Sequence, residues 1–266
     1  MSRLQSISDP LGGLTTQYLR AGVVSPLYQP IVVIGQGMSH LTIAVEALSR
    51  GPSGTPLESP LALFDAARRS DVVGPLDRLC IETALGEARR LPKHLVVFLN
   101  VHPATLCDDC EFPAFLAEAA NRNGIEPTRL ALEVLERARV NDSQCRQLLG
   151  SLQVLRGLGI RLAVDDVSGV QDDIRRALAL RPEYLKVDAA VVHGARCDMK
   201  VRALLHAIAE LAAGTGAQVI AEGIETADDL EIVAAAGIEL AQGYLLGRPV
   251  AAEVLNHMTT RLGETL

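Results

Sequence analysis

Tryptophan is absent from the 266 residues, and aromatic residues make up only 3% of them. A core must therefore be built from Leu, Val, Ile and Ala. The hydrophobic share of 48% supplies enough of these for a large packed domain and excludes global disorder. Excess positive charge is also missing, since 25 Lys and Arg stand against 32 Asp and Glu for a net charge of −7. A protein that grips long nucleic acid needs a basic face to release counterions, so that class is excluded. A small phosphate ligand stays open if metal ions neutralise the pocket. No run of about 18 residues is apolar and free of charge, so no membrane-spanning helix is expected. The first 22 residues lack the basic start and apolar stretch of a signal peptide. Five cysteines at irregular spacing make no disulfide framework. A reducing cytoplasm suits all of this.

What is present is an alternation. Short runs of Val, Ile and Leu at 41–45, 95–99, 130–132, 161–164, 184–187, 218–221 and 239–244 read as strands. Between them, 61–70, 76–90, 112–123, 143–158, 172–180, 201–213 and 227–236 show helical spacing. Gly124, Gly159, Gly216 and Gly237 follow helix ends, where a left-handed cap is favoured. Strand, helix, glycine, strand, repeated, is the pattern of a parallel α/β fold. Residues 51–60, rich in Pro and Gly, read as a surface loop. Residues 1–23 form an N-terminal extension and 24–266 a single domain, a length that suits a (β/α)8 barrel.

Several of the apolar runs lead into a polar residue: Glu46, Asn100, Glu133, Asp165 with Asp166, Lys186 and Glu222. Polar groups at the C-terminal ends of parallel strands converge on one face of a barrel. An open doubly wound sheet usually carries a glycine-rich phosphate loop, and neither G-x-G-x-x-G nor G-x-x-x-x-G-K-[ST] occurs here. The barrel is therefore expected. Hard oxygen donors of this kind suit Mg2+ or Mn2+. So many carboxylates in one pocket would repel each other unless cations compensated them. Adjacent Asp165 and Asp166 can bridge two metals, an arrangement that activates water for in-line displacement at phosphorus. Lys186 adds a cationic donor to orient that water or steady developing charge.

The same residues carry a resemblance. The chain resembles the EAL domain family through Tyr28-Gln29-Pro30-Ile31, Glu46-Ala47-Leu48 with Arg50, Asn100, Glu133 and Glu136, Asp165-Asp166, Lys186-Val187-Asp188, Ala221 to Thr226, and Gln242-Gly243-Tyr244 followed by Arg248-Pro249. Single motifs of this length recur by chance, but seven in order do not. The resemblance implies a modified TIM-type (β/α)8 barrel that hydrolyses cyclic di-GMP to linear pGpG with two Mg2+ or Mn2+ ions. It implies Glu46, Asn100, Glu133 and Asp165 as ligands of the first metal, and Asp165 with Asp166 for the second. Lys186 and Glu222 would serve the attacking water, Glu222 as base or ligand. Gln29, Arg50, Asp188 and Gln242 would contact the dinucleotide, Glu136 would tether the loop after Asp166, and Glu225 would support the turn after Glu222. A homodimer and a regulatory protein partner are further implications.

The departures bear on turnover. Family members usually read D-D-F-G-T-G-Y-S-S, whereas residues 165–173 here are Asp-Asp-Val-Ser-Gly-Val-Gln-Asp-Asp. Leu135 replaces a Thr, Ser49 a Leu and His102 a Ser. Three functions follow: a metallophosphodiesterase, a silent cyclic di-GMP receptor suggested by the altered 167–171, and a protein-binding scaffold, which the retained Gln29, Arg50 and Asp165-Asp166 disfavour. Plainer roles also stand. Asn100 can cap the next helix, Asp165-Asp166 can form a turn, Glu225-Thr226 can serve the turn and cap before Ala227, Glu136 can be a surface charge, and His102 suits packing or indirect support of the site.

Overall fold

The structure, a computed structural model, describes residues 24–34, 40–135, 142–167 and 180–263. Glu136, residues 168–171, all but the last residue of the helix expected over 172–180, and the side chain of Asp166 lie outside the described set. Within it, the strands β1 (Ser25–Val33), β2 (Leu41–Arg50), β3 (Val96–Val101), β4 (Leu130–Leu135), β5 (Arg161–Val167), β6 (Tyr184–Val187), β7 (Gln218–Ala221) and β8 (Leu240–Ala241) pair in sequence order into one closed barrel. Its helices are α1 (Pro60–Arg69), α2 (Val73–Ala88), α3 (Pro103–Asp108), α4 (Phe112–Arg122), α5 (Asp142–Gly157), α6 (Ala189–Gly194), α7 (Met199–Thr215), α8 (Ala227–Ala235) and α9 (Ala252–Gly263).

The local causes of these elements are readable. Helix α1 starts where Ser59 Oγ accepts the Ala62 amide and Pro60 takes the first turn, where no amide partner is needed. Helix α7 ends on Gly216 at φ +80°, a left-handed conformation that costs glycine little. Strand β1 is the main departure from the expected parallel sheet. It runs antiparallel to both β2 and β8, whereas all other neighbouring pairs are parallel. Its sequence, Ser-Pro-Leu-Tyr-Gln-Pro-Ile-Val-Val, hides the strand behind two prolines and a glutamine.

Inside the barrel, side chains stack in layers as the two-residue strand period requires. One layer is apolar and takes Ile31, Ala44, Phe98, Ala131, Ala163, Tyr184, Ile220 and Leu240, one from each strand. The Phe98 and Tyr184 rings fill its centre with centroids 5.0 Å apart. The alternate residues Val45, Leu99, Leu132, Val164 and Leu185 join the core that the surrounding helices cover with Ile81, Leu116, Leu152, Leu205 and Ile208.

Candidate active site

Two residues along each strand from that apolar layer comes a second, polar one. Counting by two from Ala44, Phe98, Ala131, Ala163, Tyr184, Ile220 and Leu240 gives Glu46, Asn100, Glu133, Asp165, Lys186, Glu222 and Gln242. On the reversed β1, counting back from Ile31 gives Gln29, which pairs directly with Glu46 in the ladder. Most of these polar residues therefore lie within the strands, not at their ends as expected; Glu222 and Gln242 follow the last residues of β7 and β8. In β5 the ladder slips between Val164 and Val167, so Asp165 and Asp166 together stand opposite Lys186. A bulge of this kind breaks strict alternation and re-aims side chains, commonly beside functional sites.

Lys186 is the hub of the layer. Its Nζ lies 2.6 Å from Glu133 Oε1, 2.7 Å from Glu222 Oε1, 3.1 Å from Glu46 Oε2 and 3.7 Å from Asp165 Oδ1. Glu46 also accepts from Asn100 Nδ2 at 3.0 Å and from Gln242 Nε2 at 2.7 Å. Gln242 Nε2 is 3.2 Å from Gln29 Oε1, and Gln29 Nε2 donates to the Gly247 carbonyl at 3.1 Å. Lys186, Glu133 and Glu46 are buried, and Glu222 is partly open.

Burial and charge set the proton affinities. Burial would raise the Glu46 carboxyl, but Lys186 with the Asn100 and Gln242 bonds outweighs it and holds the group below its ordinary value. For Glu133, burial and the neighbouring Glu46 prevail over Lys186 and push it well up. Burial likewise lifts Glu222 to about 8, with Lys186 opposing. Burial works against the Lys186 ammonium, yet Glu133, Glu222, Glu46 and Asp165 together raise it well above its usual value.

No group of three or more His, Cys, Asp or Glu side chains among the described residues is arranged to hold a metal ion. The carboxylates close on the Lys186 ammonium instead. Their chemistry nevertheless fits divalent cations. The donors are hard oxygens, a single lysine faces four acidic groups, and Glu133 Oε2 and Asp165 Oδ1 are buried without hydrogen-bond partners.

The remaining expected site residues are placed as follows. Arg50 ends β2, and its Nη1 donates to the Ser49 carbonyl at 3.0 Å. Asp188 caps α6 by accepting the Ala190 amide at 2.6 Å. Glu225 is exposed, and Thr226 caps α8. Asn100 turns to Glu46, and His102 Nδ1 caps α3 at Ala104 instead.

Glu46 forms part of the wall of two cavities. One, about 400 Å³, lies against α1, α2 and the end of β3 and is lined by Phe64, Arg68, Asp77, Ile81, Asn100 and His102 among others. The other, about 340 Å³, is lined by Gln29, Glu222, Glu225, Gln242 and Tyr244. Asp77 is the residue that sequence reading missed. Its signal was a carboxylate on the apolar stripe shared with Cys80, Ile81 and Ala84 of α2. Asp77 Oδ2 accepts from Thr105 Oγ1 at 2.5 Å and the His102 amide at 3.0 Å, while the buried Oδ1 has no partner.

Burial raises Asp77 to about 7 against those two bonds. An acid with a raised folded value contributes stability below its unfolded value and loses it as pH climbs through the folded one. Stability is therefore expected to fall between pH 4 and 7, by at most about 4 kcal/mol at 1.36 kcal/mol per unit. Urea midpoints measured at pH 5 and 8 should show Asp77→Asn gaining on the unaltered protein as pH rises. A gap independent of pH would mean that the carboxyl is already ionised in the fold at pH 5.

A closed (β/α)8-type barrel with a lysine-centred ring of carboxylates defines the class. The chain belongs to the EAL domain family, whose model matches residues 15–249. It is 27% identical over 238 residues to the probable cyclic di-GMP phosphodiesterase PdeG of Escherichia coli K12, covering 86% of this chain and 45% of that one. The PaMucR phosphodiesterase, solved as a c-di-GMP complex, superposes with a TM-score of 0.80 at 25% identity, over 92% of this chain and 99% of that chain. Klebsiella pneumoniae BlrP1, solved with manganese and cyclic di-GMP, gives a TM-score of 0.76 at 27% identity, over 86% and 56%. The chain spans 28% of the length of relatives from Sinorhizobium fredii and Caulobacter vibrioides. No helix among the described residues is long and apolar enough to cross a membrane.

Proposed function

We propose that this chain is a metal-dependent phosphodiesterase that opens cyclic di-GMP to linear pGpG. The observation that carries the reading is Glu46, set in the wall of two cavities and bonded to the carboxylate ring through Lys186. A cyclic dinucleotide has two bases on either side of its phosphates, and this arrangement offers a cavity for each. The relatives named above support the substrate.

Glu46, Asn100, Glu133 and Asp165 would hold one ion and Asp165 with Asp166 the other, as Mg2+ or Mn2+. Two such ions, when bound, supply a water of lowered pKa and charge stabilisation at phosphorus. Glu222 takes the proton of the attacking water. The water oxygen bonds to phosphorus, the P–O3′ bond breaks, the 3′ oxygen takes a proton from solvent water, and Glu222 returns its own proton to solvent. Lys186 Nζ donates toward the charge that develops. Gln29, Arg50, Asp188 and Gln242 orient the dinucleotide, with Gln242 held by Glu46. Glu225 supports the turn behind Glu222, and Glu136 tethers the loop after Asp166. Residues 24–266 then act as a cytoplasmic catalytic domain behind an extension at 1–23, working as a homodimer under a regulatory protein partner.

The test is direct. Purified protein with cyclic di-GMP and Mn2+ is expected to yield pGpG by chromatography, beside a binding titration in Ca2+. Tight binding without product in either metal would replace the enzyme with a receptor.

A further inference from the structure

We infer that Asp229 is a positioning residue for Glu222, holding from behind the turn that carries it; this rests on the phosphodiesterase reading. Asp229 lies in the first turn of α8 and is fully buried. A capping box asks only that it accept the backbone amide of Thr226, which it does at 2.9 Å. It does considerably more. Its carboxylate also accepts the Thr226 hydroxyl at 2.9 Å, the Glu225 amide at 3.1 Å, and Arg196 on both oxygens, from Nε at 2.6 Å and Nη2 at 2.7 Å. Two-pronged arginine contacts fix geometry as well as charge. Arg196 is itself held where α6 ends, its carbonyl accepting from Arg202 Nη2 at 3.3 Å. One carboxylate thus ties α6, the start of α8 and the turn together.

The turn has no slack on its other sides. The Gly223 carbonyl meets His193 Nε2 at 2.8 Å. A Cβ on Gly223, which has φ +66°, would fall 2.3 Å from the Ala189 Cβ. The Ile224 amide donates to the Gln242 carbonyl at 3.1 Å, and a Cβ on Gly243 would come within 2.2 Å of the Ile224 backbone. With both flanks in contact, a change at the Asp229 anchor is transmitted along the chain to Glu222, three residues before the Glu225 amide.

The experiment compares Asp229→Asn with Arg129→Ala. The second removes two bonds, to the Leu95 and Pro92 carbonyls, at the starts of β3 and β4, the end of the strands away from the carboxylates. Asp229→Asn keeps an amide-sized acceptor but loses the charged pair with Arg196. It is expected to lower kcat by about 10- to 100-fold, the range for residues that orient catalytic groups from behind, with KM and the Kd in Ca2+ within about twofold. Arg129→Ala should lower the melting temperature and leave kcat unchanged. Hydrogen exchange at residues 222–226 should accelerate only in Asp229→Asn. Equal kcat in Asp229→Asn and unaltered protein overturns the inference. If the unaltered protein turns nothing over, the phosphodiesterase reading fails, and unchanged exchange at 222–226 still overturns the positioning role on its own.

Discussion

Glu46→Gln is expected to lower kcat for cyclic di-GMP by about 100-fold or more while weakening binding far less. The substitution nearly preserves volume, so both flanking cavities keep their walls. The chemistry does not survive so well. Glu46 accepts from three donors, Asn100 Nδ2, Lys186 Nζ and Gln242 Nε2. A glutamine offers one oxygen and one N–H2 in that place, so at least one buried contact becomes donor facing donor. The site also loses a full negative charge where a cation is to be compensated. Removing a group that acts directly on developing charge in an enclosed site costs about 100- to 1000-fold in kcat. Single-turnover kinetics with Mn2+, beside calorimetric titration in Ca2+, separate the two effects. Turnover within a few-fold of the unaltered protein would remove Glu46 from the reacting centre.

The second large effect concerns stability. Lys186→Met should cost about 3–5 kcal/mol at pH 8, the usual consequence of leaving buried charge without its partner. Glu133 is completely enclosed and loses its 2.6 Å contact, while Glu46 and Glu222 lose theirs. At pH 5 the loss should be smaller, because these carboxyls then escape the cost by taking up protons. The sign follows from linkage. Acids with raised folded values, as Glu133 and Glu222 already are, stabilise the fold below their unfolded values and lose that contribution as pH rises through the folded ones. Removing the lysine raises them further, so the gap between the proteins should widen from pH 5 to 8. Added Mn2+ should raise the unfolding midpoint of the methionine variant more than that of the unaltered protein, since a bound cation stabilises the folded state by mass action. Urea melts at both pH values, with and without Mn2+, check each point, and a pH-independent gap would count against the lysine as the balancing charge.

Much of the barrel is legible from alternation alone. Runs at 184–187 and 218–221 coincide with β6 and β7, and the glycines at 124, 159, 216 and 237 all adopt positive φ. Strand β1 escapes because Pro26, Gln29 and Pro30 break its apolar run, and because its reversal depends on closing the barrel against β8. The run at 239–244 shrinks to the two residues of β8, since Gln242 to Leu246 turn to brace Ile224. In the site, residue types were readable but positions were not. Read as strand-end groups, Glu46, Asn100, Glu133 and Asp165 are internal, and it is their two-residue offset from small or aromatic neighbours that marks them as one ring. Asp77 was missed because a lone acid on a helix looks solvent-facing until α3 is packed against it.

The reversed first strand also decides where the polypeptide enters. Ser25 lies across from Arg50, at the downstream end of β2, so the backbone joins the barrel on the rim that opens over the carboxylates. In a wholly parallel barrel it would join at the opposite, closed rim. Ser25 therefore stands on the same rim as the carboxylate ring and the cavity lined by Gln29, Glu222 and Gln242. Gln29, four residues in from Ser25, pairs with Glu46 in the ladder and meets Gln242 at 3.2 Å, so only four residues of strand separate that entry point from the ring.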